Sequence, residues 1–255
     1  MTHPFDGTSL ELPPAQVQRY TETEELIYRF LLSSAHEMRP RLSSLDWLIK
    51  ATLDQWGDAL SAEARHYLET ALADVSRLWR TTRDLDDFAR LQRGTTGELP
   101  QTATLHEALR HVVTTLRPAL ESKRLSLSID LPDHVKMLAF DAGSLNIIFR
   151  NLLSNSAKFT ESGGRVWVLG SLSDDRQTAR LIINDRATPV PPEKRDGIFD
   201  DLRPLENFLT HRPEGMGLGL AVARRVARML EGDITLDARE DGNSFIISLP
   251  LQEQG

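Results

Sequence analysis

Four groups of residues in this sequence have the types and spacing to do chemistry. In "SSAHEMRPRLSSL" (33–45), His36 stands in a helix-like run with Glu37 beside it and Pro40 four residues on. Proline inside a helix costs about 3 kcal/mol, so its closeness to the histidine needs a use. His36–Glu37 has no second histidine four residues after the first, which disfavours a zinc site. A solvated helix residue is the plain alternative. In "LNIIFRNLLSNSAKFT", Asn151, Asn155 and Lys158 follow at spacings of four and three and share one helix face. An amide oxygen can ligate Mg²⁺ and an ammonium can meet phosphate oxygens, which suits a metal–phosphate cluster; an ordinary polar helix face has the same pattern. In "GMGLGLAVARRVARML", Gly215, Gly217 and Gly219 precede an amphipathic run. Such a turn can aim backbone N–H groups and a helix N-terminus at an anion, or be a plain loop. It lacks the spacing of the dinucleotide fingerprint. Asp185 closes the strand-like run "ARLIIND", where a carboxylate can accept from an exocyclic amine such as adenine offers, or simply face solvent.

These residues need elements to hold them. From Tyr28 the apolar positions run Leu31, Ala35, Met38, Leu42, Leu45 and Ile49, with Thr52 and Trp56 completing a heptad seam. Gly57 and Asp58 interrupt it, and a second seam runs Ala64, Leu68, Ala71, Val75, Leu78, Thr82, Leu85, Ala89. Two long helices joined by a short loop predict an antiparallel hairpin, and one hairpin buries so little that a dimeric four-helix bundle is its natural completion. The expected layout is a lead-in at 1–20, the hairpin at 21–94, a linker at 95–104 within the Gly/Pro/Thr-rich "RGTTGELPQTAT", and a second domain at 105–253. In that domain helices are expected at about Leu105–Leu120, Ala142–Phe159 and Leu218–Leu230. Strands are expected at "LSLSIDL", "VKMLAF", "RVWVLGSL", "ARLIIND", "DITLDA" and "SFIISLPL". This mixture predicts an α/β sandwich with helices on one face.

Composition narrows the class. Charged residues are 26% and hydrophobic residues 40%, as in globular proteins, and the formal net charge of -7 argues against broad nucleic-acid binding. There is no cysteine, so thiol chemistry is excluded. The N-terminus has no signal-peptide pattern and no run approaches the roughly 20 apolar residues of a membrane span, so a cytoplasmic protein is expected.

Taken together, the motifs resemble those of the dimeric sensor histidine kinases of two-component signalling. "SSAHEMRPRL" is similar to the phospho-acceptor box, "NLLSNSAKFT" to the N box, "NDRATPVPP" stands in the place of the Asp-x-Gly-x-Gly box, "GIFDDL" of the phenylalanine box, and "GMGLGLAVARRV" of the second glycine box. Five boxes in order carry the resemblance. It implies a phosphotransfer hairpin followed by a Bergerat-type ATP-binding domain, with ATP and Mg²⁺ as cofactors. His36 would be the phospho-acceptor and Glu37 its base. Asn155 would ligate Mg²⁺, with Asn151 and Lys158 beside it at the phosphates. Asp185 would read the adenine amine, and Gly215, Gly217 and Gly219 would shape the end of a lid over about 202–214. The implied partners are a second copy of the chain, a response-regulator receiver domain, and a sensory element in trans or in a longer protein.

Two positions depart from the family pattern. Ala187 and Pro189 replace the glycines of the first box, and Pro40 occupies the site of a polar residue tied to dephosphorylating the partner, with Arg41 where the proline is usual. The first departure leaves a degenerate scaffold as the alternative to an active kinase. The second predicts little phosphatase activity, since proline cannot hold a hydrolytic water.

Overall fold

The computed structural model describes residues 14–92, 102–195, 197–199 and 218–251. Helix α1 (Pro14–Trp56) runs through Pro40 without a break, and α2 (Ala62–Gln92) packs back along it. Between them Gly57 donates its N–H to Leu53 O at 2.9 Å, and any Cβ there would overlap that carbonyl. Ser61 then caps α2, its hydroxyl accepting from Ala64 N at 3.1 Å. One half of the expected seam closes inside the hairpin, where Ala35, Leu42, Val75 and Thr82 are buried. The other half does not: Met38 is 50% exposed, Leu45 47% and Leu78 53%. An apolar stripe left uncovered on a heptad register is what a second hairpin would cover.

The second domain starts earlier than its expected boundary. Residues 102–104, taken as the end of the linker, form strand β1 (Thr102–Thr104), paired antiparallel with β3 (Ala139–Asp141). Helix α1 likewise already includes the last seven residues of the expected lead-in. Helix α3 (Leu105–Ser122) starts from a capping box in which Thr104 and Glu107 satisfy each other's backbone N–H groups. "VKMLAF" is only in part a strand. After Pro132 the chain turns as the short helix α4 (Asp133–Lys136), with Val135 N and Lys136 N donating to Pro132 O, and only 139–141 are extended.

The main sheet holds β2 (Ser126–Asp130), β4 (Arg165–Leu172), β5 (Thr178–Asp185), β7 (Gly242–Pro250) and β6 (Asp233–Arg239), in that spatial order. Only the β2–β4 pair is parallel. Alternate residues Val166 and Val168, Leu181 and Ile183, and Phe245, Ile247 and Leu249 point to one face. There they form a single core with α3, α5 (Ala142–Phe159) and α6 (Leu218–Met229), the expected layer of helices on one side of a sheet. Their burial, at about 25 cal/mol per Å² of apolar surface, is the main force that fixes α5 and α6 against β5.

Candidate functional site

Helix α5 begins at Asp141, whose carboxylate accepts from Ser144 N at 2.7 Å, and its apolar face (Ile147, Ile148, Leu152, Leu153) is buried. Its polar residues separate by depth. Asn151 is buried, its amide donating to Ile147 O at 2.9 Å, and a Cβ on Gly219 of α6 would sit 3.0 Å from its Oδ1. Asn151 therefore seats the start of α6 on α5. Asn155 and Lys158 are half-buried, and the Lys158 ammonium lies 4.7 Å from the centre of the Phe159 ring. The Lys123 ammonium closes the end of α5 by donating to Lys158 O and to Thr160 O.

Asp185, at the end of β5, is buried and points to the helix side of the sheet. Ser156 of α5 donates to its Oδ2 at 2.7 Å; Ala187 N and the Asn243 amide each donate to its Oδ1 at 3.2 Å. A carboxylate offers about four acceptor positions, so among the described residues three are filled and one remains. Asn243 extends this network. Its amide also donates to Thr188 O at 3.2 Å, and its own oxygen accepts from Val190 N at 2.9 Å. The segment 186–190, where Ala187 and Pro189 stand for glycines, is thus held from β7, and Ala187 bridges to Thr160 at the end of α5. Gly242 is needed beside it, because a Cβ there would overlap the Asp185 carbonyl oxygen.

The fold brings Asn151 of α5 against Gly219 of α6, and Asp185 of β5 against Ser156 of α5; Asn155 and Lys158 lie on the same helix, half-buried. His36 and Glu37 are exposed on α1, one and two residues past the buried Ala35. Gly215, Gly217 and the expected lid at 202–214 lie outside the described residues. Sequence reasoning missed Ser156, Asn243 and Gly242. Ser156 lies within the quoted N-box stretch and faces Asp185, whereas Asn243 is distant in sequence and had no local signal.

A nucleotide fits the donor set. The hydroxyl of Thr160 is buried and has no hydrogen-bond partner among the described residues, and its backbone bridges to the segment that follows Asp185. With the open acceptor position of Asp185, this leaves one donor–acceptor group and one acceptor for a polar heterocycle.

Known proteins place these features. Residues 140–253 match the family described as histidine kinase-, DNA gyrase B-, and HSP90-like ATPase. The chain carries a histidine kinase-type ATPase domain of the Bergerat fold, and over most of its length it is similar to sensor histidine kinases. It is 28% identical over 233 residues to Drug sensory protein A of Synechocystis, covering 86% of this chain and 34% of that protein. It is 27% identical over 243 residues to the signal transduction histidine-protein kinase BarA of Escherichia coli, covering 92% and 26%. It is 25% identical over 242 residues to hybrid signal transduction histidine kinase D of Dictyostelium discoideum, covering 92% and 15%. The chain therefore spans at most about a third of these relatives' length. Among solved structures, full-length ShkA in complex with AMPPNP shares the fold with a TM-score of 0.64 at 24% identity, over 87% of this chain and 45% of that one. The Acinetobacter baumannii histidine kinase AdeS shares it at 0.57 and 17%, over 86% and 98%. No helix among the described residues is long and apolar enough to cross a membrane.

Proposed function

We propose that this chain is an ATP-dependent histidine autokinase that passes its phosphoryl group to an aspartate of a receiver domain. The observation that carries the reading is an exposed His36 on a hairpin joined to an ATPase-family domain whose Asp185 is buried, pre-positioned and still able to accept one bond. A neutral imidazole offers a ring-nitrogen lone pair as nucleophile. In the proposed step a ring nitrogen of His36 bonds to the γ-phosphorus, the bond from phosphorus to the ADP oxygen breaks, and Glu37 takes the ring N–H proton. Asn155 would hold Mg²⁺, which neutralises charge on the phosphate oxygens. Asp185 and Thr160 orient the base, and Lys158 faces the phosphates. The AMPPNP complex of ShkA supports nucleotide binding in this fold. The exposed stripe of Met38, Leu45 and Leu78 supports a homodimer.

A second reading has its own observation. Ala187 and Pro189 occupy glycine positions, and Pro189 has no N–H to offer a ligand, which favours a scaffold that binds regulators without using ATP. Incubation with γ-labelled ATP and Mg²⁺ separates the two. Acid-labile label in the native protein and none in His36→Gln is expected. ATP binding without any label would leave the scaffold. Because Pro40 cannot hold a hydrolytic water, phosphorylated receiver is expected to decay at its own rate when this protein is added; acceleration would refute that point.

A further inference from the structure

Helices cover one face of the main sheet, and the residues that alternate with the core point to the other face. The antiparallel register sets these side chains in rows. Trp167, Asn184, Ser244 and Asp237 lie side by side across β4, β5, β7 and β6, and Leu169, Ile182, Ile246 and Thr235 form the next row. At the end of the sheet Arg239 pairs with Gly242, while Arg165 and Arg186 stand one residue past the Val166–Asp185 pair. That end is therefore an arginine row, in a chain whose formal net charge is -7. Successive rows are two residues apart, so the three span about 13 Å. A cavity of about 320 Å³ opens over them, with Leu169 at one end and Arg186 and Arg239 at the other. Small-molecule sites start at about 300 Å³.

The lining has donors to spare. Among the described residues the Asn184 amide and the Ser244 hydroxyl make no hydrogen bond, and Arg165 and Arg186 make no ion pair. The Arg186 guanidinium lies 5.5 Å from the centre of the Trp167 ring, so a cation and an aromatic surface already meet in the cavity. Arg239 is held by Asp237 at 2.9 Å, and both are so exposed that the pair is weak and Arg239 keeps N–H groups for a ligand. Gly242, between the two guanidiniums on the sheet, puts no side chain in the way. We propose that this pocket binds a small aromatic carboxylate. Its ring lies against Trp167 and Leu169, and its carboxylate accepts from Arg186, Asn184 and Ser244, with Arg239 beside it. Asp241 at the rim, with Asp237 on Arg239, repels a second negative charge, which selects a carboxylate over a phosphate dianion. The pocket is on the opposite face of the sheet from the Asp185 carboxylate, and it stands whether or not His36 takes a phosphoryl group.

The test titrates indole-3-carboxylate into the full chain by calorimetry. Binding is expected with a dissociation constant below about 1 mM. On the native protein the neutral indole-3-carboxamide and phenyl phosphate should each bind about tenfold more weakly, the first for want of charge and the second for excess of it. Arg186→Gln should weaken the carboxylate about tenfold, and Trp167→Leu, which keeps an apolar side chain without the ring, about fivefold. Arg180→Gln is the control for diffuse charge. It lies on the same face six residues from Arg186, roughly 20 Å along β5, and should change nothing. No binding up to about 10 mM overturns the proposal, as does a carboxamide or a phosphate that binds as well as the carboxylate. Equal losses in Arg180→Gln and Arg186→Gln would overturn it too, by showing attraction to the whole face. ADP with Mg²⁺ should leave the probe in place; displacement would put the probe in the nucleotide site and refute the separate pocket. Failure of ATP to label His36 bears on the autokinase alone.

Discussion

Removing the Asn243 side chain should cost stability and nucleotide affinity together. Asn243→Ala deletes bonds to the Asp185 carboxylate, to Thr188 O and from Val190 N. Two of these are neutral bonds worth about 1 kcal/mol each, and the one to the carboxylate is worth about 1.5–3 kcal/mol. The Val190 N–H is left in a buried place without its acceptor, so the total is roughly 3–5 kcal/mol. Urea unfolding followed by circular dichroism should show a loss of that size with an unchanged m-value. Nucleotide binding, followed by calorimetric titration of ADP with Mg²⁺ under conditions where the variant stays folded, should weaken by at least about tenfold, because segment 186–190 and Asp185 lose their common tether. Asn243→Asp is the sharper control. It keeps an acceptor for Val190 N but sets a second carboxylate against Asp185, so it should recover little affinity. A variant within about 1 kcal/mol of the parent that binds ADP normally would refute the view that Asn243 organises this end of the site.

Further outcomes follow from other contacts. Leu45→Glu places a charge in the uncovered half of the heptad seam and should turn a dimer into a monomer in sedimentation or light scattering without loss of helix signal; a stable dimer would place the interface elsewhere. Arg224 grips Asp233 with two bonds of 2.7 and 2.9 Å and, with Ile234 N and Arg228 assisting, lowers its carboxyl to about 2. Because the folded value lies below the ordinary 3.8, this pair stabilises fully above pH 4 and its contribution is lost as pH falls from there towards 2. Its partial exposure keeps the effect below about 1 kcal/mol, so the native chain and Asp233→Asn should differ slightly in urea midpoint at pH 6 and converge near pH 2. Gly242→Ala should destabilise the β6–β7 turn and displace Asp185, seen as reduced thermal midpoint and reduced ADP binding; a neutral outcome would mean that the backbone there yields easily.

Local patterns were the most legible. The heptad seams, the N-box face and the two-residue alternation of β4, β5 and β7 each reflect one dominant force, apolar burial on a regular helix or strand. "VKMLAF" misled because its alternation competes with Pro132, which starts a helical turn at Asp133. The linker boundary misled because Thr and Pro near it read as loop, while Thr102–Thr104 gain order only by pairing with a strand 37 residues later in register, Thr102 to Asp141 to Thr104 with Ala139. The site was legible in its residue types and less so in its depth. Asn151 sits on the polar stripe by spacing, yet it is buried, because α6 arrives from some 70 residues away to cover it. The pairings of Asp86 with Arg39 and of Asp87 with Arg150 depend on three separate helices, and no local pattern encodes them.

The segment after Asp185 has one more consequence. Prolines at 189, 191 and 192 narrow the conformations open to the unfolded chain, and the Asn243 tether fixes what remains. Where glycines would leave a loop to be ordered by its ligand, this one loses most of its freedom when the protein folds. The conformational entropy of arrangement is then already spent before any ligand arrives. Binding at this end of the site should accordingly proceed with a small ordering entropy, and a ligand whose shape disagrees with the preset loop will find little give in it.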